Sequence, residues 1–214
     1  MKPLLPGATL GVLGGGQLGR MWSHAAQAMG FRTAVLDPDP HSPAGLISHV
    51  HECADYLDPT GLTNMAAQCQ AITTEFENVP AEALRQLGLT LPCAPSAEPV
   101  AVAQDRALEK AHFVNCGVPV APHAVLQSLD DGNQVKAALL PGILKTTRMG
   151  YDGKGQVRVA TLAELAAAWQ QLQSNGPAVC ILEKRLPLAA ECSVVLARGF
   201  DGHMVHLPLQ VNLH

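Results

Sequence analysis

Short apolar runs alternate with helical patterns along the first hundred residues. Residues 8–13 and 31–36 are apolar runs of strand length, and residues 21–29 between them place small and apolar side chains at helical spacing. Gly30 closes the helical stretch and Asp37-Pro38 ends the second run. Strand, helix, strand in that order predicts a βαβ unit with parallel strands. Residues 71–74 form a further strand, residues 80–87 a short helix and residues 89–92 a last short strand. The pattern then predicts one long helix over 98–115, broken by the Gly117 to Pro122 segment.

A second series of elements follows. Strands are expected at 123–126, 141–144, 157–159 and 178–183, and helices at 130–139 and 162–175, the latter closed by Gly176-Pro177. Residues 192–197 and 203–208 flank a Phe200-Asp201-Gly202 turn and read as a final antiparallel pair. The fold class is therefore α/β. A Rossmann-like domain is expected over 1–98 and a second α/β domain over 99–214, with the long helix as connector.

Two glycine-rich segments carry candidate chemistry. Gly14, Gly16 and Gly19 follow the first strand with G-x-G-x-x-G spacing, and Asp37 ends the next strand. This pattern predicts a phosphate at a helix N-terminus, with Arg20 as a nearby cation, and does not identify a nicotinamide. The second segment runs Lys145-Thr146-Thr147-Arg148-Met149-Gly150-Tyr151-Asp152-Gly153-Lys154-Gly155-Gln156 between two strands. Its three glycines and three cations suit a hairpin flap whose backbone N–H groups close over a polyphosphate. A solvated turn needs only one glycine.

Glu75 and Glu77 follow the strand at 71–74, where a parallel sheet opens its ligand crevice. One of them is expected to face that crevice, and Glu75 is the choice. Asp105-Arg106 and Glu109-Lys110 read as charge pairs on a solvated helix face. His41, His49 and His51 lie near Glu52, Asp55 and Asp58 without firm metal-ligand spacing, so a solvated loop and helix is preferred there.

Composition narrows the classes. With 48% hydrophobic residues the chain can bury a sizeable core, and a net charge of −4 gives no general attraction to nucleic acid or anionic membrane. Aromatic residues at 4% leave little for stacking on single-stranded nucleic acid. No apolar run is long enough to span a bilayer, and the first seven residues do not resemble a signal peptide. Six dispersed cysteines without a CxxC pair fit free thiols in a reducing cytoplasm.

Several stretches together carry a family resemblance. They are Gly14-Gly15-Gly16-Gln17-Leu18-Gly19-Arg20, Thr73-Thr74-Glu75-Phe76-Glu77-Asn78-Val79-Pro80, Gln104-Asp105-Arg106, the Gly150 to Gln156 loop, Glu183 with Glu191, and Ala197-Arg198-Gly199-Phe200-Asp201-Gly202. In this order they resemble the N5-carboxyaminoimidazole ribonucleotide synthases, ATP-grasp enzymes of purine biosynthesis. The resemblance implies a pre-ATP-grasp domain followed by part of an ATP-grasp fold. It also implies ATP-dependent carboxylation of 5-aminoimidazole ribonucleotide by bicarbonate through carboxyphosphate.

By the same resemblance Arg106 and Lys145 contact ATP phosphates, and Gly150, Tyr151, Asp152, Gly153, Lys154, Gly155 and Gln156 form the flap. Lys145, Tyr151, Asp152 and Lys154 are the implied catalytic residues. Glu183, Lys184, Arg185 and Leu186 form an adenine-reading hinge, Glu191 binds ribose hydroxyls, and His214 is a further nucleotide contact. Gly16, Gln17, Leu18, Glu75, Tyr151 and Asp152 face the ribonucleotide.

The resemblance further implies Mg2+ with ATP, a homodimer, small-molecule substrates and neither nucleic acid nor membrane as partner. Members of the family continue past residue 214 into the half that holds the Mg2+ ligands. The chain is therefore expected to be a truncated product that does not turn over by itself. Alternatives are a formate-dependent glycinamide ribonucleotide transformylase, a biotin carboxylase, a nicotinamide-dependent oxidoreductase using the first glycine motif, and a non-catalytic binding module.

Overall fold

A computed structural model describes residues 3–150 and 154–213. Strand β1 (Thr9–Leu13) leads through helix α1 (Gln17–Ala28) to β2 (Arg32–Leu36). Then come β3 (Val50–Glu52), α2 (Pro59–Gln68), β4 (Ala71–Thr74), α3 (Ala81–Leu87) and α4 (Ala97–Ala103). The four strands form a parallel sheet in the order β3-β2-β1-β4. Leu13, Leu36 and Met65 are fully buried in its core, with Leu84 and Leu87 at 1% and 2% exposure. Continuous apolar strands are what a parallel sheet packed by helices requires.

The topology places the crevice. The chain builds outward from β1 to β2 and β3, then returns to add β4 on the other side of β1. The C-terminal ends of β1 and β4 therefore flank a topological switch point, where open α/β sheets bind ligands. The glycine turn leaves β1 there, and Glu75 leaves β4 there. The two strands also pack closely at Gly11, where a Cβ would lie 2.5 Å from Ile72 Cδ1.

Helix α5 (Arg106–Asn115) leads to a second, antiparallel sheet. Its strands are β5 (His123–Leu126), β6 (Gly142–Thr146), β7 (Gln156–Val159) and β8 (Cys180–Lys184), in the order β5-β8-β6-β7. Helix α6 (Leu162–Leu172) packs Leu165 and Ala168 against Leu126, Leu144, Val159 and Leu182 to make a separate core. The strands β9 (Glu191–Ser193), β10 (Leu196–Arg198), β11 (Met204–His206) and β12 (Gln210–Asn212) follow. They pair antiparallel as β9 with β12 and β10 with β11.

The structure departs from the pattern reading at defined points. The helix expected over 98–115 breaks at Gln104-Asp105, because Asp105 is extended and its carboxylate caps α5 by accepting from the Ala107 and Leu108 N–H groups. Ala97 and Val100 of α4 join the first core, whereas α5 buries no residue. Residues 89–92 form no strand; only an isolated bridge joins Cys93 to Ile72. The helix expected over 130–139 is two 3-10 turns, Asp130–Gln134 and Ala137–Leu139, with Asp131 accepting from the Gln127 and Ser128 N–H groups. The strand at 192–197 is interrupted between Ser193 and Leu196. Strand β3 was hidden by its polar residues His51 and Glu52.

Leu144 is fully buried in the second core. Leu144→Ala is expected to lower the unfolding free energy of that core by about 2–5 kcal/mol, read by urea denaturation.

Candidate functional site

The first glycine turn already holds anions of its own. The Gly15 N–H donates to Asp37 Oδ2 at 2.7 Å, and the Gly16 N–H donates to Glu75 Oε1 at 3.1 Å. Asp37 is buried and also accepts from the Tyr56 hydroxyl at 2.8 Å and the Asp39 N–H at 2.9 Å. Two carboxylates thus accept from the turn at which a phosphate is expected. Glycine is required at position 15 because a Cβ would lie 2.6 Å from Ser42.

Glu75 and Glu77 lie beyond β4 and are separated by the loop that follows it, since within a strand two residues two apart would share a face. Glu75 is half-buried against the glycine turn, and Glu77 is exposed. Burial raises the Glu75 pKa above the usual carboxyl value, and the charges of Asp37 and Glu77 raise it further, against the lowering effect of the Gly16 and Gly19 N–H groups. Burial and then the hydrogen bond to Asp37 push the Tyr56 phenol well up. The result is an acidic, donor-seeking recess with Gln17 and Leu18 exposed at its rim. Arg20 lies exposed on α1.

In the histidine region His41 and His49 are exposed and His51 is half-buried. His49 Nδ1 accepts from the Thr33 N–H at 3.1 Å, and His51 Nε2 lies 3.2 Å from the Asp37 carbonyl. These side chains brace β2 and the Asp37 turn, and the rest of the stretch is a part-exposed loop leading to α2 as expected, with the short strand β3 added.

The second glycine segment lies on a hairpin. Strands β6 and β7 pair antiparallel, with Lys145 opposite Gln156, and the Thr146 N–H donates to the Gly155 carbonyl at 2.9 Å. Gly155 and Met149 have φ of 69° and 59°, so the chain turns through left-handed conformations on both sides. Tyr151, Asp152, Gly153 and His214, all implied site residues, lie outside the described residues. A cavity of about 770 Å3 opens beside the hairpin, lined in part by Arg148, Lys154, Gly155 and Gln156.

Arg106 holds the base of this hairpin. Its guanidinium donates to the Thr146 carbonyl at 3.0 Å and the Gly150 carbonyl at 2.7 Å, and its N–H donates to the Thr147 carbonyl at 2.9 Å. Arg148 Nε donates to Asp105 Oδ2 at 3.0 Å. Asp105 is therefore a cap and an ion-pair partner, not half of a solvated helix pair.

Lys145 and Glu183 meet across β6 and β8, with Nζ 3.1 Å from Oε2. Lys110 Nζ reaches the other carboxylate oxygen at 3.4 Å. All three side chains are at most 22% exposed, and the trio keeps one net positive charge. In the sequence Lys110 is only part of a charge run. The available signal was its (i, i+4) spacing from Arg106, which puts both on one helix face. The Lys184 and Arg185 N–H groups donate to the Pro122 and Pro141 carbonyls at 2.8 and 2.9 Å, and Leu186 is exposed. Glu191 lies on exposed β9 and accepts from Asn212 Nδ2 at 3.0 Å.

Asp37→Ala removes the acceptor of the Gly15 N–H and is expected to cost about 1–3 kcal/mol in unfolding free energy, measured by denaturation. A second expectation concerns pH. The folded-state pKa of Glu75 is raised, so its favourable contribution is full below the unfolded carboxyl pKa and is lost as pH rises through the folded value. Glu75→Gln, which stays neutral, should gain in melting temperature relative to the native chain as pH rises through that range and then level off. A constant difference across the range would contradict this.

Comparison with known proteins gives the site relatives. The ribonucleotide synthetase preATP-grasp domain profile matches residues 7–104, and the ATP-grasp domain profile matches residues 111–214. The N5-carboxyaminoimidazole ribonucleotide synthase of Pseudomonas aeruginosa is 40% identical over 206 residues, covering 96% of this chain and 56% of that protein. The Staphylococcus aureus N5-carboxyaminoimidazole synthetase complexed with ADP matches with a TM-score of 0.91 at 33% identity, over 100% of this chain and 57% of that one. The Aspergillus clavatus synthase in complex with ADP and 5-aminoimidazole ribonucleotide matches with a TM-score of 0.80 at 26% identity, over 99% of this chain and 55% of that one. The chain thus spans about half the length of the relatives it matches. It is similar to the N5-carboxyaminoimidazole ribonucleotide synthases over that half, a preATP-grasp domain leading into an ATP-grasp domain.

Proposed function

We propose that the chain serves ATP-dependent carboxylation of 5-aminoimidazole ribonucleotide with bicarbonate, giving N5-carboxyaminoimidazole ribonucleotide, ADP and phosphate, and that its 214 residues bind the substrates without turning over by themselves. One observation carries this reading: a carboxylate, Glu75, occupies the glycine turn at the sheet's switch point, while the cations gather at the β6–β7 hairpin. A recess of that charge suits an amine or hydroxyl donor, and the hairpin suits a polyphosphate. The same contrast argues against a dinucleotide lying across the first turn.

In the proposed reaction a bicarbonate oxygen attacks the γ-phosphorus, and ADP departs with the bond pair. The amine nitrogen of the ribonucleotide then attacks the carboxyphosphate carbon, and phosphate leaves as the amine gives up a proton. Glu75 would accept a hydrogen bond from the substrate, with Gly16, Gln17 and Leu18 around it. Lys145 and Lys154 would face phosphate oxygens, and Gly150 to Gln156 would close over them and exclude water from the labile intermediate. Tyr151 and Asp152 would serve both substrates. Arg106 would act from the hairpin base, Glu183 to Leu186 beside adenine, and Glu191 and His214 at the rest of the nucleotide.

Mg2+ belongs to the proposal as the companion of ATP. Among the described residues no group of three or more His, Cys, Asp or Glu side chains could hold a metal ion, and no step is assigned through one. The proposed division is 1–98 and 99–214; the break between α4 and α5 lies beyond that boundary, at Gln104-Asp105, with Ala97 and Val100 of α4 in the first core. All six cysteines are free thiols, which supports residence in the cytoplasm. Assembly as a homodimer is carried over from the resemblance.

The test is a thermal-shift titration of the chain with ADP, 5-aminoimidazole ribonucleotide and NADH in parallel. A ligand at a hundred times its Kd stabilises the folded state by about 2.7 kcal/mol. ADP and the ribonucleotide should raise the melting temperature and NADH should not. Glu75→Ala should abolish the ribonucleotide shift and keep the ADP shift, and Lys145→Ala should weaken ADP about tenfold or more. A shift with NADH alone would overturn the reading.

A further inference from the structure

We infer that Gln104 is a positioning residue that ties the Glu75 recess to the β6–β7 hairpin, so that the two sites move as one body. The inference takes from the proposed function only the naming of what those sites hold. It rests on three consecutive residues that bond in two directions.

Gln104 faces the recess. Its side-chain amide donates both hydrogens to the loop after β4, one to the Glu77 carbonyl at 2.7 Å and one to the Val79 carbonyl. That loop is locked to the glycine turn. Thr74 Oγ1 contacts the Leu13 carbonyl at 3.1 Å, and Gly14 lies so close to Phe76 that a Cβ would come within 2.8 Å of it. A shift of the Glu77–Val79 backbone therefore moves Glu75 against the Gly16 N–H.

Asp105 and Arg106 face the hairpin. Asp105 divides its carboxylate between the cap of α5 and Arg148. Arg106 takes the Thr146, Thr147 and Gly150 carbonyls. Only Gln104 and Asp105 separate α4 from α5, and both are pinned by hydrogen bonds. A junction so bonded has little freedom to bend, so displacement at one end is transmitted to the other. Contiguity alone does not establish coupling. The rival arrangement is a hinge at Asp105, with each end held independently.

Amide hydrogen exchange on the unliganded chain separates the two. Gln104→Met removes the recess-side donors, and Arg106→Lys removes the fork at the hairpin. If the segment transmits, Gln104→Met speeds exchange of the Thr147 amide, which Gln104 does not touch, at least threefold. Arg106→Lys likewise speeds the Val79 amide at least threefold. Both increases are taken relative to the Val12 amide in β1, which corrects for general loosening.

In the double variant each amide should exchange no faster than in the more affected single variant. Effects confined to each variant's own side, or rates in the double variant equal to the product of the single effects, would overturn the inference. Should Gln104→Met not fold, Gln104→Asn supplies the same lesion by shortening the reach. Because no ligand is present, failure here leaves the ADP and ribonucleotide titrations as a separate test of the proposed reaction.

Discussion

A backbone turn that offers several free N–H groups at a helix N-terminus must be given an anion or lose stability. In this chain the anions are internal. Asp37 and Glu75 come from the ends of β2 and β4 and close on the turn that follows β1, so three strands are fastened at their C-terminal ends. The buried Asp37 carboxylate is in turn satisfied by Tyr56 and Asp39. Tight glycine packing is the geometric condition, since side chains at 14 or 15 would strike Phe76 or Ser42. A motif associated with phosphate binding thereby becomes a recess for a hydrogen-bond donor.

Cationic groups show the complementary logic. A single lysine paired with Glu183 would strand a largely desolvated carboxylate whenever it moved toward another anion. Two lysines on the two oxygens avoid that cost, because either can leave while the other keeps the charge paired. The hairpin cations are likewise held from behind, Arg148 by Asp105 and the turn itself by Arg106.

Much of this was legible in the residues. The βαβ unit and the hairpin between residues 145 and 156 follow from periodicity and glycine spacing, whereas the separation of Glu75 from Glu77 is made by the loop after β4. What escaped depends on partners far away in the chain. Asp105 looks like a helix-face charge until Arg148 and the α5 cap claim it, and Lys110 looks solvated until Glu183 appears beside it. The glycine turn is only partly legible for the same reason, since its spacing does not reveal that carboxylates 22 and 59 residues away accept from its N–H groups. The short strand β3 escaped because its ladder to β2, not its own composition, makes it a strand.

The strands from β9 to β12 form an interrupted two-stranded ribbon, and large apolar side chains along it, among them Leu196, Met204, Val205 and Val211, are exposed. A two-stranded ribbon in water is marginal, whereas the two sheets before it each enclose a core of their own. The chain therefore contains at least three regions of unequal cooperativity. Heat should thus release the ribbon before the two cored units, and the melting temperature that responds to Glu75 and to ligand is that of the cored units.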